Sequence, residues 1–149
     1  LGLFYNEELV QLISLSKPRY NKNYEYELIR SCTKLNTLVL GGFNKLLSYF
    51  VKTYNSKSII TYTDVRYFNG NSYKNAGFNF CYLSKPNYFY FRNRKSEIYN
   101  LLSRSIFQKH KLKDKLSIFD ESLSEYQNMS NNSYLRIFDA GNLVFVLIQ

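Results

Sequence analysis

Residues 1–5 and 9–15 are strand-like apolar runs separated by the polar Asn6-Glu7-Glu8, which predicts a hairpin. A loop with Lys17-Pro18-Arg19 follows over Ser16 to Asn23. Tyr24 to Cys32 alternates, with Tyr24, Tyr26, Leu28 and Arg30 on one face and Glu25, Glu27, Ile29 and Ser31 on the other, as a strand does. Leu35 to Leu40 leads into Gly41-Gly42, where the period changes. Phe43, Leu46, Leu47, Phe50, Val51 and Tyr54 recur at helical spacing and predict an amphipathic helix. Ser58 to Tyr62 reads as a short buried strand ending at Asp64, and Asn69 to Ala76 as a short helix stopped by Gly77. Phe78 to Leu83 and Tyr88 to Phe91 read as strands across Lys85-Pro86-Asn87. Ser96 to Leu116 reads as one or two basic helices. Asp120 is placed to cap a further helix carrying Leu123, Tyr126 and Met129. Tyr134 to Phe138 and Leu143 to Ile148 read as a closing hairpin across Asp139-Ala140-Gly141-Asn142. The fold class is α+β, a mixed sheet with helices, in one domain over residues 1–149.

Composition agrees with a packed domain: 45% of the 149 residues are hydrophobic and 18% aromatic, which excludes wholesale disorder. The longest uncharged apolar run, Leu143 to Ile148, is too short to span a bilayer, so no membrane partner is expected. Two cysteines, Cys32 and Cys81, in a chain of this size point to reduced thiols and a cytoplasmic setting. His110 is the only histidine and lies in a basic run, which leaves neither a zinc site nor a Ser-His-Asp triad with support. The chain starts directly in a strand-like run at Leu1, as a piece cut from something longer would.

The charge is uneven. Within residues 85–115 there are nine basic residues, Lys85, Arg92, Arg94, Lys95, Arg104, Lys109, Lys111, Lys113 and Lys115, against Glu97 and Asp114. The segment 117–149 is acidic. A local surplus of this kind attracts polyanions, and DNA is the first candidate partner. Arg92, Arg94, Lys95, Arg104, Lys109, Lys111, Lys113 and Lys115 are the candidate phosphate contacts, with Tyr88 and Tyr90 beside them as candidates for stacking on unpaired bases. A metal-dependent nuclease needs clustered carboxylates. Glu25 and Glu27 share a strand face and Asp64 ends another strand, but no Asp…Glu-x-Lys pairing is evident, so nuclease chemistry is not expected here.

Leu40-Gly41-Gly42-Phe43-Asn44-Lys45-Leu46 sets two glycines before a helix, a geometry that presents backbone N–H groups to an anion. It is neither a P-loop nor a dinucleotide fingerprint. The order of strand, glycine turn, helix, strand and the short helix ending Tyr73-Lys74-Asn75-Ala76-Gly77-Phe78 resembles the core of the GNAT N-acyltransferase fold over roughly residues 1–92. That resemblance implies a GNAT-like, mostly antiparallel sheet with flanking helices. It implies acetyl-CoA or another acyl-CoA at Gly41, Gly42, Asn44 and Lys45, and Tyr73 as the acid that protonates the leaving thiolate, with a nucleobase or amine as acceptor. Leu38 stands where the family has Gln or Arg, and Phe43 where it has Gly or Ala.

A second resemblance spans nearly the whole chain. Its segments are Leu35-Asn36-Thr37 through Gly41-Gly42, Ser58 to Tyr67, Asn69 to Tyr73, Lys85 to Tyr90, Phe107 to Leu112, and Tyr134 to Asn142. In this order they resemble the C-terminal domain of phage-encoded, Hef-like homing endonucleases. Tyr67 and Phe138 stand where that family usually has Trp, and Ala140 where it has Cys. The resemblance implies a C-terminal fragment lacking a first strand and helix, with a core over 1–92 and basic helices and a hairpin over 93–149. It also implies a separate upstream nuclease domain as partner, DNA as ligand and no resident cofactor.

Overall fold

The computed structural model of the chain describes residues 1–92 and 100–149. Asn6 and Glu7 both take positive φ, 48° and 64°, the backbone of a two-residue turn that joins β1 (Gly2–Tyr5) to β2 (Glu8–Ser16). β3 (Tyr26–Thr33) adds antiparallel to β2. A loop then leads to α1 (Gly42–Tyr54), β4 (Ser58–Asp64), the single-turn α2 (Asn71–Asn75) and β5 (Asn79–Leu83). The chain continues through β6 (Tyr88–Arg92), β7 (Leu102–Ser103), two 3-10 turns at Arg104–Ile106 and Lys109–Lys111, α3 (Glu125–Asn131), β8 (Tyr134–Phe138) and β9 (Asn142–Ile148).

The fold is α+β, and two compact units divide it: residues 1–84 with 141–149, and residues 85–140. β6 thus belongs to the second unit, and β9 returns to the first. The first unit holds a six-stranded sheet in the order β1-β2-β3-β4-β9-β5, antiparallel at every ladder except β3 with β4. The second holds a three-stranded antiparallel sheet, β7-β6-β8. Both closing strands form, on either side of the turn at Asp139–Gly141. The ladder of β8 runs to β6, while β9 lies between β4 and β5. Among the described residues no helix is long and apolar enough to cross a membrane.

α1 begins after Gly41, which takes the left-handed φ of 68°, and its apolar stripe packs on the sheet. Leu46, Leu47 and Phe50 are buried with Ile13, Leu28, Ile59, Phe78, Phe145 and Leu147. On the opposite sheet face Ile60, Val144 and Val146 are buried with Tyr24 and Tyr62 against them. α2 ends in a Schellman motif: Phe78 N–H donates to Tyr73 O at 3.0 Å and Gly77 N–H to Lys74 O at 3.0 Å, with Gly77 at φ 89°.

The basic helices expected over 96–116 do not form among the described residues 100–116. That stretch is β7 and two 3-10 turns. Phe107, Leu112 and Leu116 anchor it to a core of Tyr90, Met129 and Tyr134, and lysines at every second position from 109 to 115 leave no apolar helical stripe. Residues 96–99 of the same expectation lie outside the described residues. The last helix starts at Ser124 rather than Asp120. Ser124 and Gln127 form a reciprocal capping box, while Asp120 instead accepts from Ser122 N–H and Oγ.

Leu47 sits at the centre of the α1 stripe and is 4% exposed. Leu47→Ala is expected to destabilise the chain by about 2–5 kcal/mol through lost burial and a cavity. Urea denaturation measures this, and a change under about half a kcal/mol would show that the stripe is not the core.

Candidate functional site

The parallel ladder between β3 and β4 is short. β3 and β4 pair only at Tyr26–Ile59, Glu27–Ile60 and Leu28–Thr61, and Thr61 Oγ1 donates to Leu28 O at 3.0 Å on the last rung. Beyond it the ends of β3 stay with β2, and Tyr62–Asp64 stay with β9. The strands part, and a cleft of about 610 Å³ opens between them. Its walls are the ends of β3 and β4, Phe43 from α1, and residues 68–73. Buried Gln11 and Thr63 also line it, and their Oε1 and Oγ1 have no hydrogen-bond partner. Gln11 lies against the first turn of α1: a Cβ added to Gly42 would stand 1.9 Å from its Oε1.

Tyr73 is a wall residue of this cleft, half-buried among Phe43, Phe78 and Phe145 with ring centroids 5.6–5.9 Å away. Gly41, Gly42, Asn44 and Lys45 occupy the start of α1 without lining the cleft, and Phe43 is the residue of that turn that does. No side chain caps the helix and no acidic residue lies in its first turn. Gly41 faces open space.

The carboxylates weighed for metal binding each have other partners. Glu27 is buried and takes Arg19 N–H at 2.8 Å and Nη2 at 3.1 Å. Glu25 accepts from Lys57 N–H at 2.7 Å. Asp64, at the cleft, takes the Arg66 guanidinium, whose hydrogen bonds hold its carboxyl below the usual aspartate value. Among the described residues no three His, Cys, Asp or Glu side chains come together to hold a metal ion. Cys32 and Cys81 are free thiols, both exposed.

In the second unit the basic residues sort by type. The Arg92 guanidinium lies 4.6 Å over the Tyr134 ring, with its Nε buried and unpartnered. That of Arg104 lies 5.0 Å over Tyr88. Lys109, Lys111, Lys113 and Lys115 are all exposed, and Lys111 Nζ donates to Ser105 O at 2.9 Å. Arg94 and Lys95 lie outside the described residues. Tyr90 is fully buried and Tyr88 half-buried, so the two rings pack rather than offer themselves to bases. Their hydroxyls both donate to Glu125 Oε1, at 3.0 and 2.7 Å. Burial first, and then the Glu125 carboxylate, push both phenols above the ordinary tyrosine value. Arg136, which the charge count placed in the acidic tail, stacks 3.8 Å over Tyr126 and 5.0 Å over Tyr88. Its signal in the sequence is the alternation Tyr134, Arg136, Phe138 along β8.

A scan against protein-family models finds no match, and a search of curated proteins finds none either.

Because folding raises the pKa of Tyr90 above the ordinary tyrosine value of 10.0, its contribution to stability is fully present below that pH and is lost as the pH climbs past it. The melting temperature is expected to fall as the pH rises beyond that value. The fall should be shallower in Tyr90→Phe, as a melting series across alkaline pH would show. An equal slope in both proteins would remove Tyr90 as a source.

Proposed function

We propose that the chain is a DNA-contacting accessory domain of a phage homing-endonuclease-like protein, acting in the bacterial cytoplasm beside an upstream nuclease domain. The observation that carries this reading is the segment Lys109–Lys115. Leu112 and Leu116 pin it to the core, and its four lysines are exposed and in no ion pair among the described residues, Lys111 Nζ alone donating to a backbone carbonyl, Ser105 O. Exposed, unneutralised ammonium groups bind phosphates and release the counterions condensed on DNA. The segments that resemble the Hef-like family, in the same order along the chain, support the same reading. Neutralising about five phosphates gives a log–log salt slope near −4 to −5. Changing Lys109, Lys111, Lys113 and Lys115 together to Gln is expected to flatten the slope by about 3.6 without lowering the melting temperature. Anisotropy titrations on duplex DNA measure it, and a slope near zero in the unaltered chain would end the reading.

A second reading is favoured by the cleft. A sheet that splits beside a glycine-capped helix, with a tyrosine on the wall, suits an acyl-CoA-dependent transferase of the GNAT kind, with Tyr73 protonating the departing thiolate. It stands second because the glycine turn does not line the cleft and Phe43 does. Acetyl-CoA is expected to give no saturable binding and no acyl transfer to an amine. Turnover that disappears in Tyr73→Phe would reverse the order of the two readings.

A further inference from the structure

β3 lies inside the strand order of the first unit, yet its last four residues, Arg30 to Thr33, are all exposed. Lys34 N–H donates to Val10 O of β2 at 2.8 Å. Thr33, and by alternation Ser31, therefore turn their backbone N–H and C=O groups away from β2 and into the cleft. On the other wall Val65 N–H donates to Gly141 O, so Asp64 and Tyr62 turn theirs away from β9 and into the same cleft. There Asp64 O is taken by the N–H groups of Tyr67 and Phe68. Among the described residues no strand pairs with Ser31 or Thr33 on the cleft side. A free strand edge is a template for another extended chain, which it binds through main-chain hydrogen bonds.

The side chains narrow the class of that chain. Gln11 stands opposite Thr33 and Ile13 opposite Ser31, and Ile13 belongs to the core under α1, so Gln11, Ser31 and Thr33 share that sheet face. Thr63 is on it too, four residues on from Ile59 of the same core. On this face the parted strands thus present neutral amide and hydroxyl groups. Buried polar atoms are as a rule satisfied, whereas Gln11 Oε1 and Thr63 Oγ1 lack a partner. The charged wall residues, Arg30 and Asp64, alternate to the opposite face, and Asp64 is held by Arg66. Such walls suit neutral polar groups rather than an anion. The mouth is apolar. Because β3 and β4 are parallel, the stretches that leave them stand at the same end of the sheet. Leu35, Leu38 and Leu40 after β3 are 83–85% exposed, and Tyr67 and Phe68 after β4 are 71% and 66% exposed. Five large apolar side chains so exposed at one end of a sheet mark a contact surface.

We infer that the cleft takes an extended, uncharged peptide that runs as a strand along the free edge of β3. A polar side chain of the peptide meets Gln11 and Thr63, and its apolar side chains meet the mouth. The inference does not rest on the DNA-contact reading, and it gives the cleft an occupant other than the acyl-CoA of the second reading.

The test begins with a random decapeptide library, displayed on yeast and panned on the full chain. The recovered peptide is titrated by anisotropy and its site is mapped by amide hydrogen exchange on the unaltered chain. Slowed exchange at Ser31 and Thr33 is the expected result. Exchange slowed only elsewhere, or a library that yields no binder, overturns the inference. Thr63→Val keeps the shape of the side chain and removes the unpartnered hydroxyl. It is expected to weaken the peptide about fivefold without lowering the melting temperature. Unchanged affinity in this variant overturns the inference. Acetyl-CoA that displaces the peptide at equal concentration assigns the cleft to an acyl-CoA and also overturns it.

Discussion

The first unit depends on the insertion of one strand. β9 is the last element of the chain, and it pairs with β4 over its full length on one side and with β5 on the other. Val144, Phe145, Val146 and Leu147 are buried, and they alternate between the two cores: Phe145 and Leu147 join the α1 side, Val144 and Val146 the far side. Without β9 the sheet would end at β4, and β5 would have no partner. Two glycines serve this strand. Gly70 lies flat against the Phe145 ring, where a Cβ would stand 2.1 Å from the ring carbon, and Gly141 turns so tightly that a Cβ would meet Ser84 O at 2.4 Å. Both have positive φ, so a side chain there would be strained as well as crowded.

The same constraint gives the second unit its place in the chain. Residues 85–140 are an insertion between β5 and β9, two neighbouring antiparallel strands. The ends of the insertion are tied together: Ser84 N–H donates to Asn142 O at 2.8 Å, and Asn142 N–H to Ser84 Oγ at 2.9 Å. Adjacent strand ends are where a chain tolerates long excursions, because closure entropy grows only slowly with loop length. The first unit can therefore keep its sheet while carrying a unit with its own core and its own sheet.

What the sequence discloses depends on how local the controlling interaction is. The α1 stripe was legible because Leu46, Leu47 and Phe50 lie on one helical face whatever they pack against. The β1–β2 hairpin was legible in its polar turn. β9 was legible as a strand, but its partners were not, because a continuous apolar run carries no register. The 100–116 segment misled because its basic run has no apolar period of its own, and the tertiary anchors Phe107, Leu112 and Leu116 decide its course. The cleft was invisible because it exists only where a parallel ladder stops after its third rung. Of its walls the sequence singles out Tyr73, through its place before Gly77-Phe78, and Asp64, weighed among the carboxylates.

The basic surplus of residues 85–115 is likewise two populations that a count cannot separate. Arginine is planar and weakly hydrated, so it stacks on rings, whereas lysine is a strongly hydrated point charge that stays in water. The described arginines of the second unit, Arg92, Arg104 and Arg136, all lie over aromatic rings. The lysines from 109 to 115 are the exposed ones. Such ring contacts are worth about 0.5–2 kcal/mol each and fix a guanidinium in one orientation. Recognition of guanine in the major groove uses a bidentate contact, most often from a free arginine. With its described arginines on rings, the DNA contact proposed for the unit would rest on lysines, which meet phosphates as point charges and read no sequence.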